Sequence, residues 1–262
     1  MPNDSSDVSA EKSKSFNLLF LTLSLIILDA VEVLERKVSV SILLFEISSS
    51  IRFSNSETST SVSFELDKFK CDKSQRKTFR KRYNFKEDDK VIIGIGLYIE
   101  RKGIVDFVEL AKRLKDYKFI WFGYSPLSAA TKEVREAVNT KLDNLTFAGY
   151  VEQEKIIEAM NGLDLYIFPT FEETEGIPII EACACKTKAL IRDIPIFEDW
   201  LEDGVNVYKA KDIDEFEKKI VKIVNNELPD LTEEAYKVAE ERDIKIIGKK
   251  LKEVYESVLE EN

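Results

Sequence analysis

The sequence predicts an α/β protein with a doubly wound parallel sheet, and three observations support that prediction. From Lys90 onward, apolar runs that end in glycine alternate with helical segments, which is typical of parallel strands covered by helices on both faces. The first run, VIIGIG, is apolar throughout, as expected for a strand buried on both sides. Turn-forming residues are concentrated in the same region, because the first glycine is Gly94 and no proline lies between Pro2 and Pro126.

The predicted elements follow one another in regular order. After VIIGIG come the helix IVDFVELAKRLKDY, the strand KFIWFG, the helix TKEVREAVNTKL and the strand NLTFAG. The helix EQEKIIEAMNG, the strand DLYIFP, the helix IPIIEACACK and the strand KALIRD follow, then IFEDWLEDG and NVYKA, and helical segments from Ile213 to Glu260. Right-handed crossovers would make the sheet doubly wound. We expect residues 88–225 to form this sheet, with an apolar first-helix face made of Ile104, Phe107, Val108, Ala111 and Leu114.

Composition excludes several classes of protein. The 262 residues have a formal net charge of −10, which argues against nucleic acid as a partner because nucleic-acid-binding surfaces are basic. Three irregularly spaced cysteines do not form a disulfide framework. We interpret Cys183 and Cys185 as small buried side chains, in preference to metal ligands. The chain contains no histidine, so any acid–base chemistry must use other side chains.

Residues 1–63 differ from the rest of the chain. Their apolar stretch from Phe16 to Leu28 is shorter than the roughly 20 residues that span a bilayer. No clear small-residue cleavage site follows it, which disfavours a signal peptide. We expect residues 1–63 to be a leader of unknown fold, disordered or poorly packed against the sheet, and residues 64–262 to form a second domain.

A basic segment, KSQRKTFRKRYNFKEDDK, lies between the leader and the predicted sheet. It places five cations in a short window, namely Arg76, Lys77, Arg80, Lys81 and Arg82. One interpretation is a patch that binds anionic lipid, and the other is a solvated helix that leads into the domain. A single short window favours the solvated helix.

The stretch FEETEGIPIIEA follows the predicted strand DLYIFP and contains four glutamates, Glu172, Glu173, Glu175 and Glu181. In a doubly wound sheet, ligands bind beyond the carboxyl ends of the strands, where this stretch should lie. Backbone amides at a helix N-terminus can bind a diphosphate, and ionised carboxylates accept hydrogen bonds from sugar or ribose hydroxyls. The pattern therefore predicts a nucleotide-sugar site. The alternative, that the glutamates complement the helix dipole, explains one or two of them.

These motifs together resemble a known family. The run FPTFEETEGIPIIEA, with GLYIERKG and RDIPIFEDWL, is similar to the C-terminal half of retaining group 1 glycosyltransferases, and in particular to bacterial enzymes that glucosylate diacylglycerol. The resemblance extends from about Phe64 to the C-terminus. It implies the GT-B fold, in which this half is a Rossmann-like domain that binds the sugar donor.

The resemblance also implies roles for individual residues. Glu173 would bind hydroxyls of the transferred sugar, and Lys102 would neutralise the leaving diphosphate, so these two are the predicted catalytic residues. Glu181 would bind the ribose diol. The amides of Gly176 and Ile177 would contact the diphosphate or the sugar.

Three further residues complete the predicted donor site. The broad family has an arginine five residues before the lysine, where this chain has Leu97, so Arg101 is expected to supply the second positive charge. Glu175 stands where the family often has an aromatic residue, and Gly96 ends the first predicted strand. No metal and no cofactor are expected, because lysine and backbone amides provide the positive field.

The resemblance implies that the chain transfers a hexose from a UDP-sugar to a lipid acceptor such as diacylglycerol. The hexose is expected to be glucose, and the transfer to retain the configuration of the anomeric carbon. The N-terminal GT-B domain, which contains the acceptor site, needs roughly 100 residues or more and is expected to be absent. The alternative is therefore a donor-binding fragment that is inactive alone or acts with a separately encoded N-terminal domain. The expected partners are a UDP-sugar and a membrane lipid. The expected location is cytoplasmic, at the inner face of the membrane.

Overall fold

The computed structural model describes residues 64–249 and 253, and residues 64–246 form one compact unit. Within that unit the strands of the sheet are β1 Val91–Ile95, β2 Lys118–Phe122, β3 Leu145–Gly149, β4 Leu165–Phe168, β5 Ala189–Arg192 and β6 Tyr208–Ala210. All neighbouring strands pair in parallel, in the order β3-β2-β1-β4-β5-β6. The predicted parallel sheet is therefore confirmed, with β6 added within NVYKA. The predicted leader, residues 1–63, lies outside the described residues.

Helices cover both faces of the sheet, as predicted. Their bounds are α1 Gln75–Arg82, α2 Ile104–Arg113, α3 Lys132–Asn139, α4 Gln153–Gly162, α5 Ile177–Ala184, α6 Ile213–Val224 and α7 Thr232–Glu241. Helices α1, α4, α5 and α7 contribute to the apolar core on one face, and α2, α3 and α6 to the core on the other. Successive strand residues alternate between the two cores, so that Ile93 belongs to the first and Ile92 to the second.

The first crossover helix, α2, has the predicted apolar face. All five side chains of that face are buried, namely Ile104, Phe107, Val108, Ala111 and Leu114. The helix ends at Arg113, earlier than the predicted segment, because the backbone of Leu114 leaves the helical conformation with φ −102° and ψ 64°. Helices α3 and α6 begin with side-chain caps from Thr131 and Asp212, which satisfy backbone amides that the first turn leaves free.

Helix α1 confirms the predicted helix in the basic segment, with Lys77, Lys81 and Arg82 exposed, but Arg80 is buried and not solvated. Arg80 is 2% exposed and pairs with Asp164 at 2.7 Å, and Arg76 pairs with the other oxygen of the same carboxylate at 2.9 Å. Arg82 pairs with Glu158 of α4 at 2.9 Å. The arginines thus anchor α1 to the sheet and to α4, since buried charges require partners.

The order of the strands places the topological switch point of the sheet between β1 and β4. Chain connections run outward from β1 through β2 to β3, and from β4 through β5 to β6. The direction therefore reverses between β1 and β4, which pair through Ile92–Leu165 and Ile93–Tyr166. Ligands of such sheets bind outside the carboxyl ends of the strands at this switch point.

Candidate functional site

Two loops meet at the switch point, one after β1 and the other after β4. The backbone N–H of Phe171 and the hydroxyl of Thr170 both donate to the carbonyl of Arg101, at 2.8 and 3.0 Å. The Thr170 hydroxyl is also 3.0 Å from the carbonyl of Glu172, and this side chain is fully buried. The β4–α5 loop is therefore hydrogen-bonded to the turn that precedes α2.

Gly103 makes this close approach possible. It stands immediately before α2 with φ 73° and ψ 23°, a left-handed conformation that favours glycine. A Cβ atom at this position would lie 2.2 Å from the carbonyl oxygen of Pro169. Any other residue would separate the two loops, so the glycine of ERKG fixes where the preceding lysine and arginine lie.

Lys102 and Glu173 form an ion pair between the two loops. The Lys102 Nζ lies 2.5 Å from Oε2 of Glu173, and the two side chains are 14% and 10% exposed. The other carboxylate oxygen of Glu173 accepts from the backbone N–H of Thr174 at 3.0 Å. The structure thus brings together the two residues predicted to be catalytic, although the sequence places them 71 positions apart.

Arg101 lies beside this pair and stabilises the same loop. Its Nη1 donates to the carbonyl of Glu172 at 2.9 Å. A guanidinium has five N–H donors, so donors remain for a ligand. Leu97, where the broad family has an arginine, is 48% exposed. The positive charge at the end of β1 therefore comes from Arg101 and Lys102.

Helix α5 directs its N-terminus toward the same loop. Gly176 precedes it with φ 83° and ψ 38°, and proline occupies the first turn, a position that suits it because no intrahelical N–H is needed there. A Cβ atom at Gly176 would lie 2.8 Å from the ring of Phe197. The first turn contains no acidic residue, and no side chain caps the helix. The helix-dipole alternative is therefore not supported for Glu173, whose carboxylate pairs with Lys102.

Glu181 is on the second turn of α5 in a desolvated environment. Burial raises the pKa of Glu181 to about 7, and a side-chain hydrogen bond with Gln153 partly offsets that rise. The carboxyl group is therefore only partly ionised near neutral pH, whereas the sequence prediction assumed an ionised one. The carboxyl group offers an acceptor oxygen in either form.

Tyr166 lies in the core behind the two glutamates. Burial raises the pKa of Tyr166 well above its ordinary value, and the charges of Glu181 and Glu173 raise it further. Its hydroxyl is buried and has no hydrogen-bond partner among the described residues. The unbroken apolar run of β4 agrees with the burial of this side chain, but the sequence did not indicate that its hydroxyl would be near the motif.

The other predicted residues are in the same region. Gly96 follows β1 and contacts Lys102, since a Cβ atom added there would be 3.1 Å from the Lys102 side chain. Its carbonyl accepts from the indole N–H of Trp121 at 2.8 Å. Glu175 is half-buried next to Gly176. The roles predicted for these residues stay predictions.

One residue that the sequence analysis did not select also belongs to the site region. Arg192 ends β5 and donates to the carbonyl of Pro169 at 3.0 Å. Its guanidinium also forms an ion pair with Asp106 on α2. A charged residue that ends an otherwise apolar strand, as in KALIRD, is the signal that could have identified it.

The fold and the site together define a Rossmann-like domain of the GT-B type, with charged and amide groups gathered at its switch point. The model of the family described as glycosyl transferases group 1 matches residues 75–242. The chain belongs to this family.

Two relatives from bacteria are similar in sequence. The processive diacylglycerol alpha-glucosyltransferase of Acholeplasma laidlawii is 38% identical over 195 residues, which cover 74% of this chain and 59% of the relative. The alpha-galactosylglucosyldiacylglycerol synthase of Streptococcus pneumoniae is 28% identical over 156 residues, or 58% of this chain and 41% of the relative. The chain thus spans less than two thirds of the length of these relatives.

Solved structures share the fold. The crystal structure of Anabaena Alr3699/HepE in complex with UDP and glucose has a TM-score of 0.65 at 17% identity, covering 74% of this chain and 55% of that protein. The C-terminal domain of a glycosyl transferase group 1 family protein (LpcC) from Francisella tularensis has a TM-score of 0.54 at 19% identity. It is matched over its full length by 70% of this chain.

Two negative observations concern only the part of the chain that the structure describes. None of its helices combines the length and the apolar character needed to cross a bilayer. No group of three or more cysteine, aspartate or glutamate side chains there is arranged to bind a metal ion.

Proposed function

We propose that the chain binds a UDP-sugar at the switch point and transfers a hexose, glucose, to a lipid acceptor such as diacylglycerol. The observation that supports this most strongly is the Lys102–Glu173 pair. It places an ammonium and a carboxylate side by side at the carboxyl ends of β1 and β4, where such sheets bind ligands. In a nucleotide-sugar, the charged diphosphate adjoins the hydroxyl-rich sugar, so both groups would find a partner.

The amides at the start of α5 complement this pair. Backbone N–H groups at a helix N-terminus point outward and favour negative charge, and here they belong to Gly176, Ile177 and their neighbours. When the diphosphate binds, it competes with Glu173 for the Lys102 ammonium. Glu173 is then available to accept hydrogen bonds from sugar hydroxyls, while Glu181 accepts those of the ribose.

The proposed transfer retains configuration at the anomeric carbon. The bond from that carbon to the diphosphate oxygen breaks, and the acceptor hydroxyl oxygen bonds to the carbon on the same face. The hydroxyl proton passes to the departing phosphate oxygen, so no protein nucleophile is required. Lys102 and the amides stabilise the charge that develops on the leaving diphosphate.

The choice of donor and acceptor follows the relatives. Two of them are named for glucosyl or galactosyl transfer in glycosyldiacylglycerol synthesis, and a structural neighbour was crystallised with UDP and glucose. A lipid acceptor would place the reaction at a membrane surface, and we propose the inner face of the cytoplasmic membrane. The positive field comes from Arg101, Lys102 and amides, so the proposal needs no metal ion.

Calorimetry of the full chain with UDP and with UDP-glucose tests this proposal. We expect both ligands to bind, with the same affinity in the presence and absence of EDTA. Binding that is lost with EDTA would contradict the metal-free site. Absence of binding under both conditions would contradict the proposal itself.

A second candidate is a donor-binding module that acts with an acceptor-binding domain on another chain. It is favoured by the match of this chain to an isolated C-terminal domain along that domain's full length. Transfer of labelled glucose from UDP-glucose to diacylglycerol in mixed micelles distinguishes the two. Turnover by the chain alone supports the transferase, and UDP-glucose binding without turnover supports the module.

A further inference from the structure

Arg192 is a buried cation at the carboxyl end of β5, and it connects three other segments of the domain. It is 6% exposed. Its Nε donates to the carbonyl of Pro169 at 3.0 Å, its Nη1 donates to the carbonyl of Lys211 at 2.9 Å, and its Nη2 pairs with the carboxylate of Asp106. The planar guanidinium thus has a different partner in each of three directions, a geometry that lysine cannot reproduce.

Aromatic rings enclose the same guanidinium. Its central carbon lies 4.0 Å from the ring centre of Phe171 and 5.3 Å from that of Phe216. Phe171 is itself 46% exposed, so its ring covers the cation from the solvent side. Cation–π contacts of this kind strengthen when the cation is desolvated. Arg192 therefore contacts the β4–α5 loop at two points, the Pro169 carbonyl and the Phe171 ring.

These two points flank the part of the loop that determines the site geometry. Between them, the Thr170 hydroxyl donates to the carbonyl of Arg101, as does the backbone N–H of Phe171. The Pro169 carbonyl is also the group that packs against Gly103. A displacement of Pro169 or Phe171 would therefore move the turn that contains Lys102 relative to the loop that contains Glu173.

We propose that Arg192 is a positioning residue that sets the placement of Glu173 against Lys102, and through it the affinity for the sugar part of the donor. The inference rests on the proposed function. Arg192 is covered by Phe171 and bonded to Pro169, Lys211 and Asp106, so it acts through the loop and without touching the ligand. Glu181 lies on α5, outside this network. The ribose contact at Glu181 should therefore depend little on Arg192, and UDP should lose less affinity than UDP-glucose.

The test compares Arg192→Lys with Arg80→Lys, a matched control. Arg80 is equally buried, at 2% exposure, and likewise donates to backbone carbonyls and to a carboxylate, but its partners are Asp89 and Asp164 before β1 and β4. Both variants should lower the thermal unfolding midpoint. Calorimetry below that midpoint should show that Arg192→Lys binds UDP-glucose about tenfold more weakly, whereas Arg80→Lys does not. The affinity for UDP should change less than about twofold in both variants.

Asp106→Asn provides a second measurement in case Arg192→Lys does not fold. It keeps the size of the side chain and removes the charge that pairs with Arg192, so we expect a loss of UDP-glucose affinity of about threefold, again without loss of UDP affinity. Equal weakening of both ligands, or equal effects of the Arg192 and Arg80 variants, would overturn the inference. A wild-type chain that binds neither ligand would instead overturn the proposed function, on which the inference rests.

Discussion

Strand β4 has a carboxylate near each end, Asp164 before its first residue and Glu173 beyond its last. At the amino end, Asp164 accepts from Arg76 at 2.9 Å, from Arg80 at 2.7 Å and from the backbone N–H of Val91 at 2.7 Å. At the carboxyl end, Glu173 pairs with Lys102 and accepts from the neighbouring backbone N–H of Thr174. Arginine binds carboxylates through a rigid fork, whereas lysine is a mobile point charge.

The difference separates a structural cluster from the proposed binding site. The amino-end cluster joins α1 to β1 and β4 and satisfies both oxygens of Asp164 with fixed partners. At the carboxyl end, Glu173 is paired with Lys102, and two desolvated groups, Glu181 and Tyr166, lie nearby. Residues that serve a binding site commonly lower the stability of the folded protein. Substitutions at the amino end should therefore lower the free energy of unfolding, and substitutions at Glu181 and Tyr166 should raise it.

The largest effect is expected at the amino end. Arg80→Ala removes a buried cation and leaves Asp164 with only its partner Arg76 and the Val91 amide. We expect a loss of about 4 kcal/mol in the free energy of unfolding, because the substitution removes the hydrogen bonds of a buried guanidinium to Asp164 and to three backbone carbonyls and leaves a cavity. Urea unfolding measures the loss. The affinity for UDP of the remaining folded protein should be unchanged, and a loss of that affinity would remove the distinction between the two ends.

A smaller effect is expected from pH at the carboxyl end. In the folded state Glu181 has a pKa of about 7, so it keeps its proton up to near neutral pH. In the unfolded state the same group loses its proton near its ordinary pKa of 4.5. The contribution of this group to stability therefore falls as the pH rises from about 4.5 to 7, by as much as about 3 kcal/mol. Glu181→Gln should remove this dependence, so the variant should gain stability relative to the wild type across that range. Burial raises the pKa values of Tyr166 and Cys185, and the charge of Glu181 raises them further, so both groups stay neutral there.

Unfolding in urea at several pH values between 5 and 7.5 provides the measurement. A constant difference in free energy between wild type and Glu181→Gln across this range would show that Glu181 titrates normally. In that case the carboxylate of Glu181 would be as well stabilised in its ionised form as that of Asp164.

The smallest effect is expected at Tyr166. Its hydroxyl is buried and lacks a hydrogen-bond partner among the described residues, so Tyr166→Phe should raise the free energy of unfolding by about 1 kcal/mol. Tyr208→Phe is the matched control, because the Tyr208 hydroxyl donates to the carbonyl of Pro229 at 2.8 Å and its removal should destabilise. A loss of stability in both variants would show that Tyr166 has a partner.

Much of the fold could be predicted from sequence because local patterns determine it. Unbroken apolar strands such as VIIGIG require burial on both sides, and glycines mark the ends of the strands. The proximity of Lys102 and Glu173 was predictable for the same reason, since parallel strands bring the segments after β1 and β4 to one edge. Loop glycines then fixed the approach of Lys102 to Glu173.

The interpretation of α1 as a solvated helix agrees with the exposed Lys77, Lys81 and Arg82, but it did not predict the burial of Arg80. Arg80 is buried by Asp164, which lies 84 positions away, and no pattern within the basic segment indicates that partner. Arg192 was missed likewise, because its partners Asp106, Pro169 and Lys211 come from three separate segments. Long-range pairs of this kind are determined by tertiary packing, which local periodicity does not describe.

The central claim is that the two glutamates of the carboxyl end bind different parts of one donor. Calorimetry of Glu173→Ala and Glu181→Ala with UDP and with UDP-glucose tests it most directly. Glu173→Ala should weaken UDP-glucose by about tenfold to a hundredfold and leave UDP nearly unchanged, since a charge-assisted hydrogen bond contributes roughly 1.5–3 kcal/mol. Glu181→Ala should weaken both ligands alike. Equal effects of Glu173→Ala on UDP and UDP-glucose would contradict the assignment.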